Sequence, residues 1–421
     1  MQDQGHRRYR PACEAVTPKA DTIIDSRMRL PRAVIALGAV SLFTDLSSEM
    51  IYPLLPVFLS TVLGAGPLAI GAIEGAAEST AALLKLVSGW WSDRLPRRKP
   101  LVVAGYGIAS LVRPLIGLAQ GVGQVLAIRL ADRAGKGIRG APRDALIADA
   151  VDPSQRGRAY GFHRAADHAG AVAGPMVAYA LITWGNVSLR TVFLLAAIPA
   201  AAAMVTLIFG VRESGRAVGS GGSRPSLERK GLDRRFWAYL VVLLLFTLGN
   251  STDALLILRA SQLGVSAALV PVLWAVLHVV KSVSSTPGGI LSDRLGRRPL
   301  IIGGWLVYAA VYLGFAFASA TWQAWALFIV YGLYFGMTEG VEKALVADLV
   351  PAVVRGAAFG WYNLTIGLAA LPASLIFGGL WQAYGATAAF IVGASLALAA
   401  AAGLSLVTRG WEATKGKRAK G

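Results

Sequence analysis

A chain of 421 residues that is 55% hydrophobic, only 15% charged and of mean hydropathy +0.57 cannot hide its apolar surface in a water-soluble globule; it is a polytopic membrane protein. One cysteine, Cys13, excludes an intramolecular disulfide framework, and four scattered histidines with that lone thiol offer no metal-ligand spacing. The net charge of +18 is read as topological and as facing anionic lipid headgroups, so nucleic-acid binding is set aside.

Residues 1–32 form a polar, basic tail with no apolar stretch of signal-peptide length, and Met28 is an alternative start within it. Crossing about 30 Å of hydrocarbon takes roughly 20 apolar residues. Such stretches follow at 33–62, 66–92, 101–120, 122–150, 157–184 and 190–211, then at 236–260, 265–292, 299–318, 321–349, 356–383 and 386–408. Each must satisfy its own backbone in lipid, and none shows the alternation of a barrel strand, so an all-α protein with 12 transmembrane helices is expected. The stretch 212–235, rich in Gly, Ser and charge, reads as a cytoplasmic linker between bundles at 33–211 and 236–408, with a basic tail at 409–421.

Charges inside these spans cost about 2.5–3.5 kcal/mol each on insertion scales and mark a pathway or a partner. Span 1 carries Asp45 and Glu49 one helical turn apart, and span 2 carries Glu74 and Glu78 in the same relation with Lys85 on their face. An acid pair in low dielectric is poised to hold a proton; the alternative is that these acids neutralise the basic residues of span 4 as fixed ion pairs. Span 3 has only Arg113. In span 4, Arg129, Arg133, Lys136, Arg139 and Arg143 fall within about 120° of one helix face over roughly 21 Å, a stripe suited to a negative substrate. Span 5 adds His163, Arg164, Asp167 and His168, two i,i+4 pairs in which histidine can relay a proton. The later spans are less charged. Asn250 and Asp253 stand in span 7, His278 and Lys281 in span 8, and Glu339, Glu342 and Lys343 in span 10, with Trp274, Tyr334, Phe335, Trp361 and Tyr362 available to shape a pocket.

The chain repeats itself. GWWSDRLPRR at 89–98 returns as GILSDRLGRR at 289–298, ALIADAV at 145–151 as ALVADLV at 344–350, and RGRAYG at 156–161 as RGAAFG at 355–360. Two parallel copies point to a transporter of two bundles around a central site, opened alternately to each side. Basic residues crowd the loops on one side while the other side's loops hold only Arg190 and Arg259, which places both termini and the linker in the cytoplasm.

These features resemble a twelve-helix member of the major facilitator superfamily, closest in motifs to its drug and metabolite proton antiporters. The resemblance rests on Gly89, Asp93, Arg94, Arg97 and Arg98 between spans 2 and 3, on Gly289, Asp293, Arg294, Gly296, Arg297 and Arg298 between spans 8 and 9, and on the Arg-Gly starts of spans 5 and 11. Pro96 departs from the glycine usual in the first loop. The family implies two pseudo-symmetric six-helix bundles, lipid-facing spans 3, 6, 9 and 12, and loop motifs that act as gating latches, the first favouring the outward-open state. Arg133 with Gly137 is similar to the family's fourth-helix motif, and Gly170, Gly174 and Pro175 partly match the antiporters' fifth-helix motif, whose later Gly pair is replaced by Ala178 and Tyr179.

The expected function is secondary active transport of a small organic, anionic or zwitterionic solute, by proton-coupled efflux in a bacterial inner membrane. A proton-coupled uptake symporter and a non-transporting sensor remain alternatives. No nucleotide-binding loop is present, so neither an ATP-driven pump nor an enzyme is expected. The proton gradient replaces a cofactor, no metal is expected, and the protein is taken as a monomer in the bilayer. Proton-coupling candidates are Asp45, Glu49, Glu74, Glu78, His163, Asp167 and His168. Substrate-binding candidates are Arg129, Arg133, Lys136, Arg139, Arg143, Asn250, Asp253, His278, Lys281 and Glu339.

Overall fold

The computed structural model describes residues 30–92, 95–151, 156–213, 232–351 and 354–408. Among these, the chain runs back and forth as twelve helical rods, with no strand. The first six are α1 (Arg32–Thr61), α2 (Pro67–Ser92), α3 (Lys99–Leu118), α4 (Val122–Asp149), α5 (Arg156–Thr183) and α6 (Leu189–Gly210). The second six are α7 (Arg234–Gln262), α8 (Val270–Leu295), α9 (Arg297–Phe317), α10 (Thr321–Leu349), α11 (Arg355–Tyr384) and α12 (Ala386–Thr408). Eight are long and apolar enough to cross a membrane. The other four, α2, α4, α5 and α8, are equally long but carry polar and charged residues along one side, and that side lines the cavity described below.

Several rods are interrupted where the sequence removes a donor or inserts a polar residue. In α1, Pro53 cannot donate its nitrogen, and residues Tyr52–Leu54 form a single 3-10 turn. In α7 the helix stops at Gly249 and restarts at Asp253, and the Thr252 side chain caps the restart by accepting from the Ala254 N–H at 3.4 Å. The carbonyl freed at Gly249 accepts from the Tyr308 hydroxyl at 3.1 Å, so the break stays satisfied in a medium that offers no water.

Packing repeats between the halves. α1 packs on α5 and α6, α2 on α4, and α3 on α4; correspondingly α7 packs on α11 and α12, α8 on α10, and α9 on α10. The main contacts between halves are α2 with α11 and α5 with α8, which exchange places when six is added to each helix number. Small residues permit the close approaches: a Cβ on Gly105 of α3 would lie 2.7 Å from the Gly135 carbonyl oxygen of α4, and one on Gly75 of α2 would lie 2.9 Å from Leu371 Cα of α11. The larger apolar core joins the Met50–Leu59 part of α1 to the second half, with Trp305, Tyr308, Tyr312, Phe315, Phe328, Tyr331 and Phe390 fully enclosed. A smaller core of Val34, Leu37, Val102, Tyr106, Ile147 and Leu207 closes the first half near its basic loops.

Candidate functional site

Between the halves lies a cavity of about 980 Å³ lined by α1, α2, α4, α5, α7, α8, α10 and α11. Its lining reaches Ser92 at the end of α2, Ala145 near the end of α4, Arg164 near the start of α5 and Gly360 near the start of α11. All four belong to the end of the bundle that carries the basic loops. At the opposite end the cavity is shut by α1 residues after Tyr52 packed on the restarted part of α7, and by Trp274 of α8, whose indole N–H donates to Glu49 Oε2 at 2.7 Å. The Tyr52 and Trp274 rings, one from each half, meet at 5.2 Å.

The structure divides the span 4 stripe. Lys136, Arg139 and Arg143 line the cavity, whereas Arg129 is buried and fully committed. It grips Glu74 through two bonds of 2.8 and 2.5 Å and reaches Asp132 at 3.2 Å. Arg113, expected on a lipid-facing helix, turns inward, donates to Asp132 at 2.8 Å and to the Thr44 carbonyl at 3.2 Å, and closes a buried four-residue network. Arg133 pairs with Glu78 at 3.2 Å and Arg143 with the adjacent Asp144 at 2.8 Å. Lys136 and Arg139 form no ion pair among the described residues; Arg139 lies over the Tyr106 ring at 4.2 Å and keeps its Nη1 without a partner.

The acids divide likewise. Glu74 and Glu78 are held by arginines, the arrangement in which they neutralise span 4. The Asp45 carboxylate has no donor among the described residues, and Glu49 has only the Trp274 indole. Both line the cavity with Asp167 and His168. His163 is buried away from it, 3.5 Å from Asp167, with which Ser41 also bonds. In the second half, Asp253 accepts from Tyr331 at 2.7 Å, Asn250 from Tyr308 at 3.2 Å, and Lys281 pairs with Glu339 at 3.0 Å while lying 4.3 Å over Phe335. His278 lines the cavity against Trp274. Glu342 lies outside the cavity, held by the Trp305 indole and the Tyr362 hydroxyl, each at 3.0 Å.

The loop residues make equivalent pairs in each half. Arg98 bonds Asp149 at the end of α4 at 2.6 Å, and Arg297 bonds Asp348 at the end of α10 at 3.5 Å and also Asp293. Both lie inside their own half. The acids stand 199 positions apart but the arginine motifs 200, so different arginines of the repeated pair reach the matching acids. Arg298 instead donates to the Ser405 and Thr408 carbonyls at the end of α12. Arg97 and Arg294 are exposed, Gly89 packs near Ala141, and Gly289 faces open space. Asp93 and Arg94 lie outside the described residues.

Reading from single residues missed Asp132, Tyr52 and Tyr331. Asp132 was signalled by its place three residues after Arg129. Tyr52 carried a weaker signal, the following proline, and nothing local distinguishes Tyr331 from a packing residue.

A twelve-helix bundle with a polar cavity between repeated halves is the architecture of a membrane transporter. The profile of the Major Facilitator Superfamily matches residues 37–338 and 254–420, and the chain belongs to that family. It is 34% identical over 360 residues to an uncharacterised MFS-type transporter of Methanocaldococcus jannaschii, covering 84% of this chain and 89% of that protein. It is 27% identical over 395 residues to the class C tetracycline resistance protein of Escherichia coli, covering 87% and 94%. Among solved structures, the nucleoside transporter NupG aligns with a TM-score of 0.75 at 12% identity, over 90% of this chain and 99% of that one, a likeness of fold. The protein is therefore an integral, multi-pass MFS transporter.

Proposed function

We propose that the chain is a proton-coupled exporter of a small organic zwitterion, set in a bacterial inner membrane with its basic loops and termini cytoplasmic. The carrying observation is a cavity that offers groups of both signs uncommitted among the described residues: Lys136 and Arg139 without ion pairs, and Asp45, Glu49 and Asp253 without cations bonded to them. A proton and a bound anion favour each other at a shared site, whereas a proton and a bound cation exclude each other. Antiport therefore calls for a cationic group on the substrate, and Lys136 and Arg139 call for an anionic one. The likeness to a tetracycline resistance protein supports export. With basic loops in the cytoplasm, the cavity is open inward. No further cofactor is needed, and a single chain encloses the whole cavity.

Proteoliposomes with an imposed pH gradient test this reading. Uptake of tetracycline, a zwitterionic probe, into vesicles acidic inside is expected from inside-out protein, with loss of gradient-driven flux in Asp45→Asn or Glu49→Gln while exchange at equal pH persists. Gradient-driven flux surviving in the Asp45→Asn/Glu49→Gln double variant would reassign these acids to structure.

A further inference from the structure

Beside the main cavity is a second, smaller chamber of about 60 Å³. It shares Asp45, Glu49, Tyr52, Lys136 and Arg139 with the main cavity, and these form its mouth. Beyond the mouth its walls are Ser48, Ile51, Arg113, Arg129, Asp132 and Arg133. The inner wall sets Arg113, Arg129 and Arg133 beside Asp132; Arg113 and Arg129 share Asp132, Arg129 also grips Glu74, and Arg133 pairs with Glu78. Two enclosed guanidinium nitrogens of the chamber bond nothing among the described residues: Nη1 of Arg139, a residue only 6% exposed, and Nε of Arg133. Lys136 at the mouth forms no ion pair among the described residues. A water needs about 10–15 Å³ measured in this way, so the chamber takes a group of a few heavy atoms and no ring.

Building on the zwitterion reading above, we infer that this chamber is the subsite for the substrate's carboxylate, with Arg139 as its principal donor and Lys136 guiding entry. A carboxylate is planar, small and suited to a guanidinium fork, and its charge answers the Arg139 and Lys136 cations, which form no ion pair among the described residues. The body of the solute then lies in the main cavity, with its cationic group free to reach Asp45, Glu49 or Asp253.

The test uses the full chain with Cys13→Ser and one new thiol, Ser48→Cys, which lines only the chamber, compared with Asn363→Cys in the main cavity. Iodoacetate carries the inferred group and iodoacetamide is its neutral counterpart. The ratio of their alkylation rates is expected to be about ten-fold higher at Ser48→Cys than at Asn363→Cys, the factor for 1.4 kcal/mol, and to collapse when Arg139→Gln is added. Sodium acetate is expected to slow iodoacetamide at Ser48→Cys, a measurement that needs no second substitution should Arg139→Gln fold poorly. Equal ratios at the two thiols, a ratio that survives Arg139→Gln, or protection by phosphate and not by acetate would overturn the assignment. Alkylation reads the chamber whether or not anything is carried, so its failure is separate from a failure of proton-driven flux.

Discussion

At the scale of single residues, the cations of α4 differ in what their loss should cost. Arg129 satisfies both oxygens of Glu74 in a region of about 1–5% exposure, so Arg129→Gln strands a carboxylate away from water. Breaking a buried pair costs about 3–5 kcal/mol, and the expected result is low yield of folded protein and a markedly lower melting temperature in detergent, partly restored by adding Glu74→Gln. Lys136→Gln strands nothing, since no carboxylate among the described residues bonds it. Its melting temperature is expected to stay near that of the parent while proteoliposome flux falls at least ten-fold. A parent-like melting temperature for Arg129→Gln would show that Glu74 finds another partner. The chain order shows that these residues share a face, yet it cannot show which are consumed. That depends on α2 and α3, which meet α4 only in the folded bundle. The stripe was legible for this reason, and its division into structural and uncommitted cations was not.

At the scale of elements, most of the fold was readable because lipid leaves so few solutions. Span positions, the repeat and the central cavity follow from apolar length, duplicated loop sequences and the placement of charge, and the twelve rods agree with the expected spans to within a few residues at most ends. The breaks at Tyr52 and Asn250 were not foreseen: Pro53 signals the first without fixing its form, and the second relies on a partner from a distant helix, Tyr308. The loop arginines gain a concrete role as ties between a helix start and the end of the neighbouring helix. Arg98 is 8% exposed at its side chain and bonded at 2.6 Å, whereas Arg297 is 27% exposed and reaches Asp348 at 3.5 Å. An exposed, loosely formed pair contributes about 0–1 kcal/mol, so Arg98→Gln is expected to slow transport several-fold more than Arg297→Gln, with substrate binding little changed in either. Equal losses in single-turnover flux would contradict this ranking.

At the scale of the whole molecule, the present conformation is held shut at one end by contacts that cross between the halves. The Trp274 indole on Glu49 is the sharpest of these, because it joins α8 to α1 by a hydrogen bond to a carboxylate and sets the Tyr52 ring against its own. A hydrogen bond to a charged group contributes about 1.5–3 kcal/mol, and in a two-state equilibrium that energy is a ratio of populations, roughly ten-fold to a hundred-fold. Trp274→Phe keeps an aromatic ring in place and removes only the donor. It should therefore shift the protein toward the state open at the opposite end, without loss of fold. Ser374 provides the reporter: it is 2% exposed, sits where α11 crosses α2, and packs against Gly71 below the closed end. In a Cys13→Ser background, labelling of Ser374→Cys by a membrane-impermeant maleimide added on the side opposite the basic loops should quicken ten-fold or more when Trp274→Phe is introduced. Labelling from the basic-loop side should slow in proportion if the halves rock as a pair. Faster labelling from both sides would mean that the substitution loosens the bundle, and unchanged labelling would mean that the α2–α11 contact alone keeps this end closed.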